Sequence, residues 1–321
     1  MESSKMIFSK TVEATKLFGD EMDKMDPFKT FRNEFYFPLN CQAYLTGFGL
    51  GLLSKNSEKY INIGLNEWKK HGSNMYAESK TPLQICEKNC ESLMVDIIGA
   101  NDTNEVCIMN ACSVNANLLL MSFYKPNISR NKILMEYGAF CSDYHIINGI
   151  CDINELKYKD ILIEVKPGND GYIISDDSII NTIKQYSNEL SIVWLGFPNY
   201  LTGQVFDIER IVKTAHEYNI LVGLDISHGI GNCVLKLHEW NVDFACWCSY
   251  KYLNASGGGI GGIFVHERHH KRNDIKKLRG WWGQTRQWRY KFDRKHIPIN
   301  NAQSWSISQT PLLLCLCLEG S

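Results

Sequence analysis

The segment SIVWLGFPNYLTGQVFDIERIVKTAHEYNILVGLD, residues 191–225, decides the fold. It opens on an apolar run of strand length, Ser191 to Leu195, and closes on another, Ile220 to Leu224. Between them Asp207 is placed to cap a helix whose Ile208, Ile211, Val212 and Ala215 fall at i, i+3, i+4 and i+7, one helical face. Strands that are apolar throughout are buried on both sides, and a helix joining two of them is the crossover of a parallel pair. Working outward, Asn131 to Glu136 (NKILME) and Ile161 to Val165 read as further strands, and Asp176 to Asn188 as a helix with a Ser/Asp-rich start. Asp243 to Ser249 and Ile260 to Val265 add strand candidates, and Ala116 to Phe123 an apolar helix. The pattern predicts an α/β domain with a mainly parallel sheet covered on both faces, whose ligands bind beyond the carboxyl ends of the strands.

Composition sets the wider limits. The 321 residues suffice for a large core and roughly two domains. Lys plus Arg is 34 and Asp plus Glu 35, a net charge of −1, so the chain lacks the basic excess of a protein that binds nucleic acid by neutralising phosphates. The longest apolar run near the C-terminus, Leu312 to Leu318, is far short of the ~18 residues of a membrane helix. The N-terminus, Met1 to Asp20, mixes charges with short apolar pieces, unlike a signal peptide. The expectation is a soluble, cytoplasmic protein with neither nucleic-acid nor membrane partners. Twelve cysteines are scattered along the chain. Cys86/Cys90 and Cys107/Cys112 approach zinc-ligand spacing, but no His pair follows them, and the cysteines read as reduced, buried small hydrophobes, with no metal site expected.

Two residues carry the chemistry. Asp225 directly follows ILVGL and leads into Ile226-Ser227-His228. Lys251 follows the apolar strand FACWCS and precedes Gly257-Gly258-Gly259. Singly, these read equally well as a strand end with a helix cap and as a solvated loop lysine. Together, an acid and a lysine at the ends of two strands are what pyridoxal phosphate needs. The amine forms a Schiff base with the aldehyde, and the acid keeps the ring nitrogen protonated so that the ring accepts electrons. Glycines after the lysine let backbone pass close to the cofactor.

The stretch from Thr202 to Glu267, and VDFACWCSYKYLN (242–254) above all, closely resembles the kynureninases, fold-type I pyridoxal-phosphate hydrolases of tryptophan degradation and NAD biosynthesis. The resemblance runs from about Phe35 to the end of the chain. It implies that Lys251 is the Schiff-base lysine, Asp225 the pyridinium partner, His228 a cofactor neighbour, and Tyr250 a phosphate contact able to move protons. Asn110-Ala-Cys-Ser-Val-Asn115 matches the family's Asn-Ala-Leu-Thr-Val-Asn, so Cys112 and Ser113 would hold the phosphate with backbone N–H groups and a hydroxyl. Phe140-Cys141-Ser142-Asp143 matches Phe-Pro-Ser-Asp, with Phe140 stacking on the ring and Asp143 orienting polar groups. Trp281 matches a tryptophan that reaches the phosphate across a homodimer, and Gln309 stands where an Asn meets the cofactor. The implied reaction converts L-kynurenine to anthranilate, or 3-hydroxykynurenine to 3-hydroxyanthranilate, with release of L-alanine.

Departures from the family cluster on the substrate side. Gly47-Phe-Gly-Leu-Gly51 replaces Gly-Asn-Ser-Leu-Gly, and as a GxGxG spacing it is a weak dinucleotide signal. Tyr76 and Gln284 stand at positions of histidines, Leu83 after Pro82 at that of a Trp, and Leu201 at that of a Tyr. Gly196 and Phe197 replace small or polar residues. The family's small C-terminal domain, with its carboxylate-clamping arginine, lies beyond LLLCLCLEGS at the end of this chain. The expected division is an N-terminal arm (1–50), a cofactor-binding large domain (51–300) and the start of a connection to a truncated small domain (301–321). The alternative reading is a truncated or inactive homologue that binds cofactor without turnover. A desulfurase, with Cys112 or Cys141 as its mobile thiol, is a further one.

Overall fold

A computed structural model describes residues 16–79, 83, 86–169, 171–291 and 293–321. The first fifteen residues and Pro82, noted above, lie outside the described residues. The strands are β1 (Val106–Ile108), β2 (Lys132–Glu136), β3 (Leu162–Val165), β4 (Leu190–Gly196), β5 (Leu221–Asp225), β6 (Phe244–Cys248) and β7 (Gly261–Val265). They form one seven-stranded sheet in the order β1-β7-β6-β5-β4-β2-β3. Only β7 runs against its neighbours; β2 to β6 are mutually parallel where they pair.

The helices of two turns or more are α1 (Lys16–Met25), α2 (Lys55–His71), α3 (Cys86–Ile98), α4 (Cys112–Phe123), α5 (Cys141–Ile153), α6 (Asp176–Gln185), α7 (Ile208–Glu217) and α8 (Leu312–Glu319). The anticipated strands and helices form, with ends moved by a few residues. Asp207 Oδ1 accepts from Arg210 N at 3.1 Å, and Ser175 Oγ caps α6 by accepting from Ser178 N. These bonds satisfy N–H groups that helix geometry leaves orphaned.

Side chains alternate along each strand, so each face feeds a separate core. Val193, Leu195, Val222 and Leu224 pack with α3, α6 and α7 on one face. Ile192, Trp194, Phe244 and Cys246 pack with α4, α5 and Trp305 on the other. A ring stack crosses that second face: Trp194 on Phe244 (6.0 Å), Phe244 on Phe123 (4.4 Å) and Phe123 on Trp305 (5.8 Å). Gly223 makes room for it, since a Cβ there would overlap the Phe244 ring.

The last helix closes on the second. Ser57 Oγ donates to Cys317 O at 2.8 Å, Ser54 Oγ to Gly320 O at 2.7 Å, and Leu316 lies where a Cβ of Gly64 would project. Leu83 is buried in this small cluster with Met75 and Leu316.

All twelve cysteines are free thiols. Eight are buried as expected, but Cys41, Cys112 and Cys233 are partly open and Cys141 is exposed. Cys141 opens a helix at a loop and Cys112 begins α4, so neither sits in the packed middle of an element.

Candidate active site

The carboxyl ends of β2, β4, β5 and β6 meet at one edge of the sheet. Gly196 is in register with Asp225, and Asp225 with Cys246. Lys251 follows β6 by three residues. A shallow cleft is lined there by Glu136, Phe140, Asp143, Asp225, His228 and Lys251, among others.

Lys251 Nζ is 2.9 Å from His228 Nε2 and 5.8 Å from the centre of the Phe140 ring. Phe140 keeps 45% of its surface exposed and packs edge-on against Tyr200 at 5.3 Å. Asp225 Oδ1 accepts from Ser227 N at 2.8 Å. Asp143 Oδ1 accepts from Trp194 Nε1 at 3.0 Å, which anchors it to the ring stack. Ser113 Oγ and Ser142 Oγ are 2.9 Å apart, joining the N-termini of α4 and α5.

The charges in the cleft are unequal. Burial, then the Asp225 charge, holds the Asp143 carboxyl well above the usual range. Burial pushes Glu136 up to about 8, with Asp143 and Asp225 adding to the rise. Glu136 is therefore largely neutral at pH 7, and burial disfavours the charged form of Asp143 as well. Burial, then Lys251, lowers His228, which keeps its ring neutral. Burial and nearby Cys248 raise the Tyr250 phenol.

Pyridoxal phosphate fits these residues. Ala111 caps α4 without a side-chain hydrogen bond, so the first N–H groups of a twelve-residue helix are available to an anion. The exposed Phe140 ring offers a stacking face beside Lys251. Asp225 supplies a carboxylate for a protonated ring nitrogen.

The structure brings together Asp225, His228, Lys251, Phe140 and Asp143. Ser113 and Ser142 stand as a pair at the two helix starts. Cys141, Tyr250, Trp281 and Gln309 do not line the cleft among the described residues. Tyr250 instead fixes the lysine loop, its carbonyl accepting from Gly51 N at 2.7 Å. Trp281 is 41% exposed and packs edge-on against Trp282 and Tyr290. Gln309 Nε2 donates to Tyr76 Oη at 3.0 Å, so the amide standing for the family's Asn bonds the tyrosine standing for a histidine.

Sequence reasoning missed Glu136, which holds Gly196 N–H at 3.1 Å within the cleft. Its signal was present: like Asp225, it is an acid closing an apolar strand. Reasoning from spacing also missed that Cys112 meets Cys246 rather than Cys107, since the sheet order makes that contact.

The fold and the cleft define a pyridoxal-phosphate-dependent enzyme. Residues 64–280 match the family model Aminotransferase class-V. The chain belongs to the kynureninases, pyridoxal-phosphate hydrolases that act on a carbon–carbon bond. It is 36% identical to the kynureninase of Flavobacterium psychrophilum, covering 96% of this chain and 72% of that one. It is 35% identical to that of Dictyostelium discoideum (97% and 73% covered) and 36% identical to that of Mus musculus (97% and 69%). Among solved structures, a C-DES mutant with glycine covalently linked to its pyridoxal phosphate superposes with a TM-score of 0.73 at 15% identity, covering 90% of this chain and 72% of that one. The cysteine desulfurase CsdA of Escherichia coli gives 0.72 at 12% identity, covering 91% and 69%. These two likenesses concern the fold.

Proposed function

We propose that this protein hydrolyses L-kynurenine to anthranilate and L-alanine, and 3-hydroxykynurenine to 3-hydroxyanthranilate and L-alanine. One observation carries the reading: Asp225 and Lys251, delivered by adjacent parallel strands, line one cleft beside the exposed Phe140 ring. When bound, pyridoxal phosphate supplies an electron sink for charge that develops at the substrate Cα.

The side chains have distinct tasks. Lys251 would hold the cofactor, and its amine is placed to move the Cα proton. Neutral His228 accepts from its Nζ and so orients the amine. Asp225 stabilises positive charge at the ring nitrogen. Phe140 stacks on the ring face, and Asp143, tied to Trp194, keeps that wall in place. The N–H groups of Cys112 and Ser113, with the Ser113 and Ser142 hydroxyls, hold the phosphate, and Cys141 adds the start of α5 to that cradle. Tyr250 transfers a proton near the γ-carbonyl, where water adds. Gln309, held by its bond to Tyr76, is assigned a cofactor contact from the resemblance alone.

The active unit in this reading is a cytoplasmic homodimer in which Trp281 contacts the cofactor phosphate of the partner subunit. The exposed Leu39, Leu45, Phe48, Leu50 and Trp281 support an apolar interface, and no helix among the described residues is long and apolar enough to cross a membrane. Residues 51–300 form the cofactor-binding large domain, 1–50 the arm, and 301–321 the start of the connection. The alternative, cofactor binding without turnover, draws on the mutual bond of Gln309 and Tyr76. One assay decides between them. Purified protein given pyridoxal phosphate and kynurenine is expected to develop anthranilate fluorescence with saturable kinetics. Bound cofactor without that product would select the alternative.

A further inference from the structure

Three ligand-type side chains converge on the α4 side of the sheet, beside the cofactor cleft. Cys112 is the first residue of α4, Asp225 the last of β5, and Cys246 lies opposite Asp225 on β6. Cys112 Sγ is 3.8 Å from Cys246 Sγ and 3.8 Å from Asp225 Oδ2. All three ligand atoms lie within 4.8 Å of one another. Ser227 Oγ is 3.4 Å from the Cys112 sulfur.

The spacing is compatible with a metal site. Thiolates at about 2.3 Å from a tetrahedral zinc lie about 3.8 Å apart, and a carboxylate oxygen at about 2.1 Å lies about 3.6 Å from each sulfur. The two distances from the Cys112 sulfur match two edges of such a tetrahedron, the third pair lies within 4.8 Å, and water or the Ser227 hydroxyl could take the fourth position. Two thiols and a carboxylate are also the soft-and-hard donor mix that zinc accepts.

We propose that the cofactor-free protein binds one thiophilic divalent cation of the zinc class through Cys112, Cys246 and Asp225, and that this cation and pyridoxal phosphate exclude each other. Binding replaces two S–H bonds with two metal–sulfur bonds and releases two protons to solvent, with no change of oxidation state. The exclusion rests on Asp225 being the partner of the ring nitrogen, because one carboxylate then serves either occupant but not both. Cofactor loading therefore protects the site from metal, and metal capture holds the chain in its cofactor-free form.

The full-length protein, stripped of cofactor and kept under a phosphine reductant, is titrated with Cd²⁺ and followed by ultraviolet thiolate-to-cadmium absorbance. One Cd²⁺ per chain is expected, with two thiolates engaged and about two protons released. Cys112→Ala and Cys246→Ala should each weaken binding by about 100-fold or more, since each removes a ligand atom. Either variant suffices if the other fails to fold. Cadmium-loaded protein should take up pyridoxal phosphate only after a chelator is added. Equal binding by wild type and both variants overturns the site and assigns the metal to other cysteines. Cofactor uptake with cadmium still bound overturns the exclusion. A chain that binds Cd²⁺ through these cysteines, yet never takes up pyridoxal phosphate in metal-free buffer, overturns the reading of Asp225 and leaves the metal site standing.

Discussion

Lys251 Nζ stands 2.9 Å from His228 Nε2. An ammonium has donors only, so the amine donates and the imidazole accepts. That requires a neutral ring, which burial and the Lys251 charge both favour. The two residues sit on the loops after β5 and β6, so the parallel pairing of these strands sets the distance. Lys251 is thereby aimed along the cleft toward the face that Phe140 leaves open.

Lys251→Ala should abolish the visible absorbance of covalently held cofactor while leaving the far-ultraviolet circular dichroism unchanged. No other lysine lines the cleft among the described residues. Survival of the band would reassign the attachment site.

Glu136 predicts a pH dependence of stability. Its carboxyl is pushed up to about 8 in the folded chain, against about 4.3 for an unfolded Glu. A group with a raised folded pKa gives stability that is fully present below the unfolded value and lost as pH rises through the folded one. In the cofactor-free protein this contribution, on the order of a few kcal/mol, should disappear between about pH 4.3 and pH 8. Glu136→Gln keeps an acceptor for Gly196 N–H but does not titrate. Urea midpoints across that range should fall less steeply in the variant, and equal slopes would show that Glu136 does not titrate there.

Gly51→Ala should damage the lysine loop. A methyl at this position would overlap the carbonyl oxygen of Lys251 and Oδ1 of Asn254, and the Gly51 N–H holds the Tyr250 carbonyl at 2.7 Å. Overpacking of this kind costs roughly 1–3 kcal/mol. The expected result is a lower melting temperature together with weaker cofactor binding. An unchanged cofactor Kd would mean that the loop accommodates the methyl without moving Lys251.

Tyr76→Phe removes the acceptor of Gln309 Nε2. A single hydrogen bond of this type contributes about 1 kcal/mol. Chemical denaturation should register a loss of that size, and cofactor should leave the protein faster as Gln309 is released. No change in either would separate Gln309 from the cofactor.

The readable part of this protein was the part written in local spacing. Uninterrupted apolar runs marked the parallel strands, because a strand covered on both faces cannot alternate. The i, i+3, i+4, i+7 pattern after Asp207 marked its helix, and the position of Asp225 and Lys251 just past two such runs marked the cleft. The relations that the sequence did not disclose are contacts across the chain: Cys112 with Cys246, Gln309 with Tyr76, Gly51 with the Lys251 loop, and Glu136 over Gly196. Each joins residues far apart in the chain, brought together by strand order, by the closing of α8 on α2 or by the segment before α2 reaching the Lys251 loop. Sequence alone determined which elements form and which strand ends carry chemistry, because propensity and periodicity act over a few residues. Only the tertiary structure decided which groups share the cleft and which carboxyls lose their charge there, because burial and neighbouring charge exist only once the sheet has assembled.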